Sequence, residues 1–169
     1  YVAKYPYGIS RHSFLFGFPP FKGRIGGRLP KKGEVIVFQV DTDITNENVD
    51  KKYIKRVIGL PGDEVQVING YVYVNGEKAT QKRIQDYLRP QPSGRTKSYP
   101  QFIERLPNGK EHLIIRDDVK GLNLANNTQL YKVPEGYLFV MGDNRDNSGD
   151  SRQETSNLGF VPIDNLVGP

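Results

Sequence analysis

Tyr53-Ile54-Lys55-Arg56-Val57-Ile58-Gly59-Leu60-Pro61-Gly62-Asp63 is the stretch that decides the fold, because an apolar, β-branched run leads directly into a Pro-Gly-Asp turn. Residues of this kind favour a β-strand, and the Pro-Gly pair ends it. Successive side chains of a strand point to opposite faces, so Lys55 and Arg56 each lie among apolar neighbours on different faces. A half-buried lysine is costly unless it is paired or neutral. One simple explanation is a sheet edge, where lysine blocks pairing with other strands.

The composition of the whole chain indicates a turn-rich β protein. The chain has 169 residues, of which 36% are hydrophobic and 25% charged, and these include 18 Gly, 12 Pro, 10 Tyr and 8 Phe. This length suits one domain or a core with an insertion. No apolar run approaches the roughly 20 residues of a membrane-spanning helix. We therefore expect a mainly β fold with an antiparallel, partly barrel-like core.

Charge and cysteine content exclude several kinds of site. The net charge is +5, but the basic residues are scattered through every segment, so we expect no nucleic-acid partner, and contact with anionic lipid is at least as plausible. The chain has no cysteine, which excludes disulfides, thiolate zinc sites and a thiol nucleophile. We expect no cofactor and no metal.

The first thirty residues are irregular and aromatic. Half of the phenylalanines lie in Phe14–Phe21, which Gly17, Pro19 and Pro20 keep from forming a long helix. This segment is interpreted either as an arm packed over the core or as an apolar patch that meets a membrane surface. The chain opens on Tyr1 and its single methionine is Met141, so we expect a fragment whose natural N-terminus lies upstream.

Further strands follow from local patterns. Val35–Phe38 is a short apolar run, and Glu64–Gly76 alternates on both sides of Asn69-Gly70, a pair that favours a type I′ hairpin. Asp41–Lys52 is polar and resembles a loop. Tyr137–Met141 is a compact apolar strand.

The stretch from about Thr80 to Lys132 differs in composition, with more charge and a lower strand propensity. Arg89–Gly94 is predicted as a loop, and Pro107–Lys110 as the turn of a second hairpin. We predict that residues 1–80 and 133–169 form the β core and that residues 81–132 are an inserted subdomain.

The loop Gly142–Arg152 is dense in charges and amides, and three interpretations compete. Calcium binding fails in both EF-hand registers, because one puts Arg145 at a ligand position and the other puts Asn157 in place of the bidentate glutamate. The loop could be a self-contained network of turns and ion pairs. It could also be the partner of Lys55, with a hydroxyl that orients the amine.

Several segments together resemble the conserved boxes of bacterial type I signal peptidase, a family of serine/lysine proteases. They cover residues 1–76 and 133–169 in the right order: Lys4-Tyr5-Pro6-Tyr7-Gly8, Gly33-Glu34-Val35-Ile36-Val37-Phe38, Tyr53–Asp63, Gly142-Asp143-Asn144-Arg145-Asp146-Asn147-Ser148 with Asp150-Ser151-Arg152, Gly159-Phe160-Val161-Pro162 and Asn165-Leu166-Val167-Gly168. Glu34 stands where the family usually has Asp.

The resemblance implies an endopeptidase that removes signal peptides from exported preproteins at the outer, periplasmic side of the cytoplasmic (inner) membrane. It implies that Lys55 is the general base and that Ser148 is the hydroxyl that positions its amine. A free lysine is almost wholly protonated at neutral pH, but burial lowers its pKa. We predict that Arg56 pairs with Asp143 and that Arg152 pairs with Asp150, which fixes the loop so that Ser148 reaches Lys55.

The nucleophile is where the chain departs from the family pattern. The family carries it in a Ser-x-Ser-Met-x-Pro box, which this sequence lacks, and Ser10 and Ser13 lie outside any such motif. The oxyanion donors of that box are missing too. We therefore expect these residues alone to be inactive, most simply because the chain is truncated.

The same resemblance suggests how substrate binds. An extended signal peptide would pair alongside the strand that carries the base, with backbone contacts from Lys52 to Lys55, Tyr53 included. Ile54, Val140 and Gly149 are expected near shallow pockets that accept small residues at positions −1 and −3 from the cut. The expected partners are signal peptides of secretory preproteins and a lipid membrane surface.

Two other functions remain open. A catalytically inactive homologue would bind extended peptides or partner proteins with the same strand. A basic nucleic-acid-binding β domain is disfavoured, because the aromatic residues are not interleaved with basic ones.

Overall fold

The computed structural model describes residues 7–8, 26, 28–40, 51–117, 124–152 and 158–169, and the regular secondary structure of these residues is almost entirely β. Every pairing between the named strands is antiparallel. Short 3₁₀ helices occur at Leu124–Asn126 and Ile163–Asn165. The strands are β1 (Val35–Val40), β2 (Lys51–Gly59), β3 (Glu64–Ile68), β4 (Tyr71–Val74), β5 (Glu77–Lys78), β6 (Thr80–Arg83), β7 (Tyr87–Pro90), β8 (Thr96–Tyr99), β9 (Gln101–Arg105), β10 (Glu111–Ile115), β11 (Tyr131–Lys132), β12 (Tyr137–Met141), β13 (Val161–Pro162) and β14 (Leu166–Gly168).

The predicted central strand, β2, lies inside a five-stranded sheet of order β13-β12-β2-β1-β14 in the described part of the chain. It pairs with β1, where Ile36 lies opposite Lys55, and with β12, where Met141 lies opposite Arg56. β12 pairs with β2 only from Arg56 onward, so in the described residues Lys55 has a paired strand on the β1 side alone. The N-terminal half of β2 is therefore an open edge, and the edge-strand explanation of this lysine is compatible with the pairing.

The two faces of this sheet contribute to different apolar clusters, as the alternation of β2 predicts. Val57 packs with Ile36, Phe38 and Val140 on one side, whereas Ile58 packs with the β3–β4 side chains on the other. Both side chains are fully buried, and such burial typically stabilises a fold by about 1.5–3 kcal/mol per side chain. This packing anchors β2 near its C-terminal end and leaves Lys55 toward the more open N-terminal half.

The predicted hairpin around Asn69-Gly70 is confirmed. Val65–Ile68 of β3 pair with Tyr71–Val74 of β4, and Asn69 and Gly70 both have positive φ angles, of 51° and 77°. Two consecutive residues in the left-handed region define a type I′ turn, which matches the twist of the two strands.

The 80–132 stretch contains more strand than its composition indicated. The hairpin predicted around Pro107–Lys110 is confirmed as β9–β10, and β6 extends it into a three-stranded sheet among the described residues. The prediction of a loop at Arg89–Gly94 is partly wrong, because Arg89 and Pro90 belong to β7 and pair with Lys97 and Thr96. A proline is tolerated there because no other strand of the described residues pairs with the β7–β8 ribbon, which leaves one side of each strand without ladder bonds.

The mainly β, antiparallel fold is confirmed, and the sheets found in the described residues are open rather than closed. In those residues no helix has the length and apolar character needed to cross a membrane. The aromatic segment Phe14–Phe21 and the polar stretch 41–50 lie outside the described residues, although Lys51 and Lys52 belong to β2 rather than to a loop. The division into a core and an inserted subdomain at 81–132 stays a prediction.

Candidate active site

Lys55 and Ser148 meet across 93 positions of sequence. Lys55 Nζ donates a hydrogen bond to Ser148 Oγ at 2.7 Å in a partly buried setting. Lys55 comes from the middle of β2, and Ser148 comes from the loop that follows β12. Because β12 is paired with β2, the loop emerges beside the lysine. The geometry brings an amine and a hydroxyl into direct contact.

The surroundings of Lys55 favour its neutral form. Burial lowers the pKa of the Lys55 amine below its ordinary value, and Arg152 acts in the same direction, while Asp150 and Asp143 oppose the shift. Removing an ammonium from water is costly, so partial burial outweighs the nearby carboxylates. A larger fraction of this amine is therefore free to accept a proton than in an exposed lysine.

Gly142 makes the contact between Lys55 and Ser148 possible, although the sequence analysis assigned no separate role to this glycine. A Cβ atom at this position would lie 2.6 Å from Ser148 Cβ and 3.4 Å from Lys55 Nζ. Its backbone N–H donates to Asp150 Oδ2 at 2.9 Å. The signal that could have revealed it is a glycine directly after an apolar strand, which often marks a close approach of another group.

Arg56 fixes the start of the loop. Its Nε donates to Asp143 Oδ1 at 2.8 Å and its Nη2 donates to Asp143 Oδ2 at 2.6 Å, which is a bidentate ion pair. Its Nη1 donates to the Gly33 carbonyl at 2.7 Å. The pairing expected between Arg56 and Asp143 is present and joins β2 to the loop on the face opposite Lys55.

Arg152 and Asp150 fix the end of the loop. Both side chains are buried, and Arg152 Nε and Nη2 donate to Asp150 Oδ1 and Oδ2, each at 2.8 Å. Burial alone would raise the pKa of Asp150, but hydrogen bonds from Arg152, Gly142 and Ser148 hold it below its ordinary value. Asp150 is thus an ionised acceptor that touches both the arginine and the hydroxyl.

Ser151 is a second residue without a role in the sequence analysis. It is buried, and its Oγ accepts from the Val140 N–H at 3.0 Å and donates to the Gly159 carbonyl at 2.6 Å. It ties the end of the loop to β12 and to the segment before β13. The hydroxyl within Asp150-Ser151-Arg152 was the available signal.

The residues predicted to bind substrate do not share one environment. Ile54 is 67% exposed, Lys52 and Gly149 are also exposed, and Tyr53 is half-buried against Phe38. Val140 is fully buried in the apolar cluster with Val57. The structure therefore leaves Ile54 and Gly149 accessible to a ligand but not Val140, and their roles stay predictions.

Two of the three acidic residues of the 142–152 loop are paired with arginines, and the third, Asp146, accepts from the Asp117 N–H and from Asn126 Nδ2. Asp143 is paired with Arg56 and Asp150 with Arg152, so neither carboxylate is available to a cation as it stands. Among residues 7–8, 26, 28–40, 51–117, 124–152 and 158–169, no group of three or more histidines and carboxylates could hold a metal.

Comparison with known proteins gives a consistent result. The family described as "Signal peptidase, peptidase S26" matches residues 2–169. The signal peptidase I of Rickettsia canadensis is 39% identical over 178 residues, which cover 99% of this chain and 61% of that protein. The signal peptidase I of Rickettsia felis is 40% identical, and the match covers 99% of this chain and 60% of that protein. The chain thus spans about 60% of the length of these curated relatives.

A solved structure is also similar. The crystal structure of a signal peptidase I from Enterococcus faecalis V583 is 26% identical, with a TM-score of 0.45, and the match covers 83% of this chain and 96% of the other.

Proposed function

The chain belongs to the signal peptidase family, peptidase S26, and from this premise we propose that it is the base-carrying part of a serine endopeptidase that removes signal peptides from exported preproteins. The observation that carries the proposal is the 2.7 Å contact between Lys55 Nζ and Ser148 Oγ. Membership of the family supports the substrate class, and it supports a site of action at the outer face of the cytoplasmic membrane.

Lys55 is the general base in this proposal. A base must be unprotonated before the reaction, and burial shifts the Lys55 pKa in the required direction. Arg56 is unsuited to this role, because a guanidinium stays charged at any physiological pH. Ser148 orients the amine, and its own position is held by Gly142, Asp150 and the two arginine pairs.

The nucleophile is proposed to be a serine of a Ser-x-Ser-Met-x-Pro box, which the 169 residues do not contain. Its Oγ attacks the scissile carbonyl carbon while Lys55 Nζ takes the hydroxyl proton. The lysine then gives this proton to the leaving amine as the peptide C–N bond breaks, and water later hydrolyses the acyl-enzyme. Lys55 therefore ends each cycle neutral, as it began.

The substrate is proposed to add to β2 as an extended strand. Strand β12 pairs with β2 at Arg56, Val57 and Gly59, and no other described strand pairs with Lys52–Lys55 on that side. An extended peptide placed there would bring its backbone past Lys55. The exposed Ile54 and Gly149 would then line the pockets for small side chains.

The test uses the chain joined to a segment that carries the Ser-x-Ser-Met-x-Pro box, assayed on a preprotein. We expect cleavage by this protein and none by its Lys55→Ala and Lys55→Arg variants, while Lys82→Ala, which removes an exposed lysine of β6, cleaves normally. Full activity of either Lys55 variant would refute the base assignment. Binding of the preprotein without any cleavage would instead support an inactive peptide-binding homologue.

A further inference from the structure

A cluster of buried charges lies outside the machinery described so far. Glu104 of β9 is 0% exposed and Arg145 of the 142–152 loop is 2% exposed, with His112 of β10 buried beside them. Charged groups are rarely buried to this degree without close partners, because desolvation is costly. The cluster joins the β9–β10 hairpin to the loop that carries Ser148.

The contacts in the cluster are direct. Arg145 Nη1 donates to Glu104 Oε1 at 2.9 Å, and Arg145 Nη2 donates to Glu104 Oε2. His112 lies opposite Glu104 in the β9–β10 register, with its Nε2 at 3.2 Å from Glu104 Oε2. Gln81 Nε2 of β6 donates to Glu104 Oε1 at 3.0 Å. Glu104 thus gathers contacts from two strands and the loop onto one carboxylate.

A continuous series of contacts runs from this cluster to the lysine. The Arg145 carbonyl accepts from Arg152 Nη2 at 2.5 Å, and Arg152 holds Asp150. Asp150 in turn accepts from the Gly142 N–H and from Ser148, and Ser148 accepts from Lys55. Each step is a hydrogen bond or an ion pair between groups that are buried or partly buried.

The backbone reinforces the same connection. The Ile115 N–H donates to the Asp143 carbonyl and the Arg145 N–H donates to the Ile115 carbonyl, each at 2.9 Å. The end of β10 therefore forms a parallel bridge with the loop at Asn144. The β9–β10 hairpin holds the loop both by its backbone and by the Glu104–Arg145 pair.

We infer that Glu104 and His112 are positioning residues for the Lys55 site, and that they act through Arg145 to keep Ser148 against the amine. The significance of this inference for catalysis rests on the proposed function. It gives the hairpin within the predicted insertion a role in the reaction, although none of its residues touches Lys55.

The physical consequence of removing Glu104 follows from the burial of Arg145. An arginine without its carboxylate in the interior is strongly unfavourable, so Arg145 must turn toward water or draw water in. We expect either response to shift the Arg145 carbonyl, to which Arg152 donates, and through Arg152 to shift Asp150 and Ser148. Lys55 then becomes better hydrated, which moves its pKa back toward that of an exposed lysine.

The experiment measures the Lys55 pKa by NMR titration of the 169-residue chain. The Lys55 resonance is identified as the one that is missing from the spectrum of the Lys55→Arg variant. We expect Glu104→Gln to raise this pKa and His112→Ala to raise it less, because the latter leaves the Glu104–Arg145 pair in place. Leu106→Val, a buried change after β9 away from these contacts, is the control for lost stability and should leave the pKa unchanged. In the chain joined to a serine box, Glu104→Gln should lower kcat about tenfold or more with KM little changed, since a small misplacement of the site lowers the rate strongly.

An unchanged Lys55 pKa in folded Glu104→Gln would overturn the inference, and His112→Ala decides it if Glu104→Gln does not fold. The titration needs no cleavage, so it succeeds or fails independently of the proposed peptidase activity. A pKa that rises in the absence of any cleavage would uphold the linkage and refute only the proposed function.

Discussion

A Cβ atom placed on Gly142 would lie 2.1 Å from Ser148 Oγ, so the backbone at residue 142 and this hydroxyl occupy adjoining positions with no space between them. Real side chains do not approach so closely, and any residue other than glycine must displace Ser148. The contact between Ser148 and Lys55 thus requires a residue without a side chain at position 142, as well as the two side chains that form it.

Gly142→Ala should therefore lower kcat about 100-fold or more in the chain joined to a serine box, because Ser148 must move and the site loses its alignment. The measurement is cleavage of a preprotein under single-turnover conditions. Gly59→Ala is the matched control, since its Cβ would meet Val65 Cγ2 at 2.7 Å in the core and not at the site. It should lower the melting temperature but leave the activity of the folded protein near normal. Equal activity of Gly142→Ala and the unaltered protein would contradict the packing argument.

The pH dependence of cleavage should follow the protonation of Lys55. Burial lowers the pKa of this amine. In the proposed mechanism the neutral amine is the active form, so kcat/KM should rise with pH and level off once the lysine is deprotonated. The midpoint should fall below the value of about 10.4 for an exposed lysine. NMR titration of Lys55 should give the same midpoint in the free protein. A clear difference between the two midpoints would assign the kinetic limb to another group.

The Arg56–Asp143 pair should act through the position of the loop rather than through the base itself. Asp143→Asn keeps the shape of the side chain but weakens the bidentate pair, and we expect kcat to fall about tenfold. The protein should still fold, with Lys55 unaltered, because the Asp143 side chain is partly exposed and asparagine has the same shape. Asp86→Asn, which disrupts the exposed pair with Arg83, should leave cleavage unaffected. Unchanged turnover in Asp143→Asn would show that the loop does not need this pair.

Much of the fold could be predicted because the decisive signals are local. β-branched residues before Pro61-Gly62 indicated β2, and Asn69-Gly70 indicated a type I′ turn that the structure shows with both φ angles positive. Strands β6 to β8 gave no such signal. β7 is exposed along its whole length, so no apolar alternation marks it, and it exists because it pairs with β8.

The candidate site also contains residues that the sequence could predict and residues that it could not. The contact of Lys55 with Ser148 was expected from motifs that resemble a known family, and the structure places the two atoms together. Glu104 could not have been singled out, because it lies 41 positions from Arg145 and its burial depends on how the hairpin meets the loop. Val140 could not be assigned to a face either, since every residue of β12 after Tyr137 is buried.

Ile54 should govern which side chains are accepted next to the cut. It is 67% exposed beside Lys55, and a shallow pocket lined by a β-branched residue rejects bulk by steric clash. Ile54→Ala should therefore broaden acceptance at position −1 or −3, with substrates carrying larger residues gaining about tenfold in kcat/KM. The comparison is a set of preproteins that differ at those two positions. Leu113→Ala, an exposed leucine of β10, should leave the preference unaltered, and an identical profile in Ile54→Ala would remove this residue from the pocket.

The Glu104 carboxylate should make the protein sensitive to acid. Burial by itself would raise its pKa, but Arg145 and His112 lower it from 4.5 to about 2. Because the folded value lies below the unfolded one, the ionised form stabilises the protein above about pH 4.5, and this contribution is lost as the pH falls toward 2. The loss is about 3 kcal/mol on the usual relation between pKa shifts and stability.

Glu34, Asp63 and Asp150 also have lowered pKa values, so the total acid sensitivity does not identify Glu104. The decisive quantity is the difference in unfolding free energy between the unaltered chain and Glu104→Gln, measured with urea from pH 7 to pH 3. That difference should shrink as the pH falls. A constant difference would show that folding does not lower the pKa of Glu104, and a difference that grows would show that the folded protein keeps this carboxyl neutral.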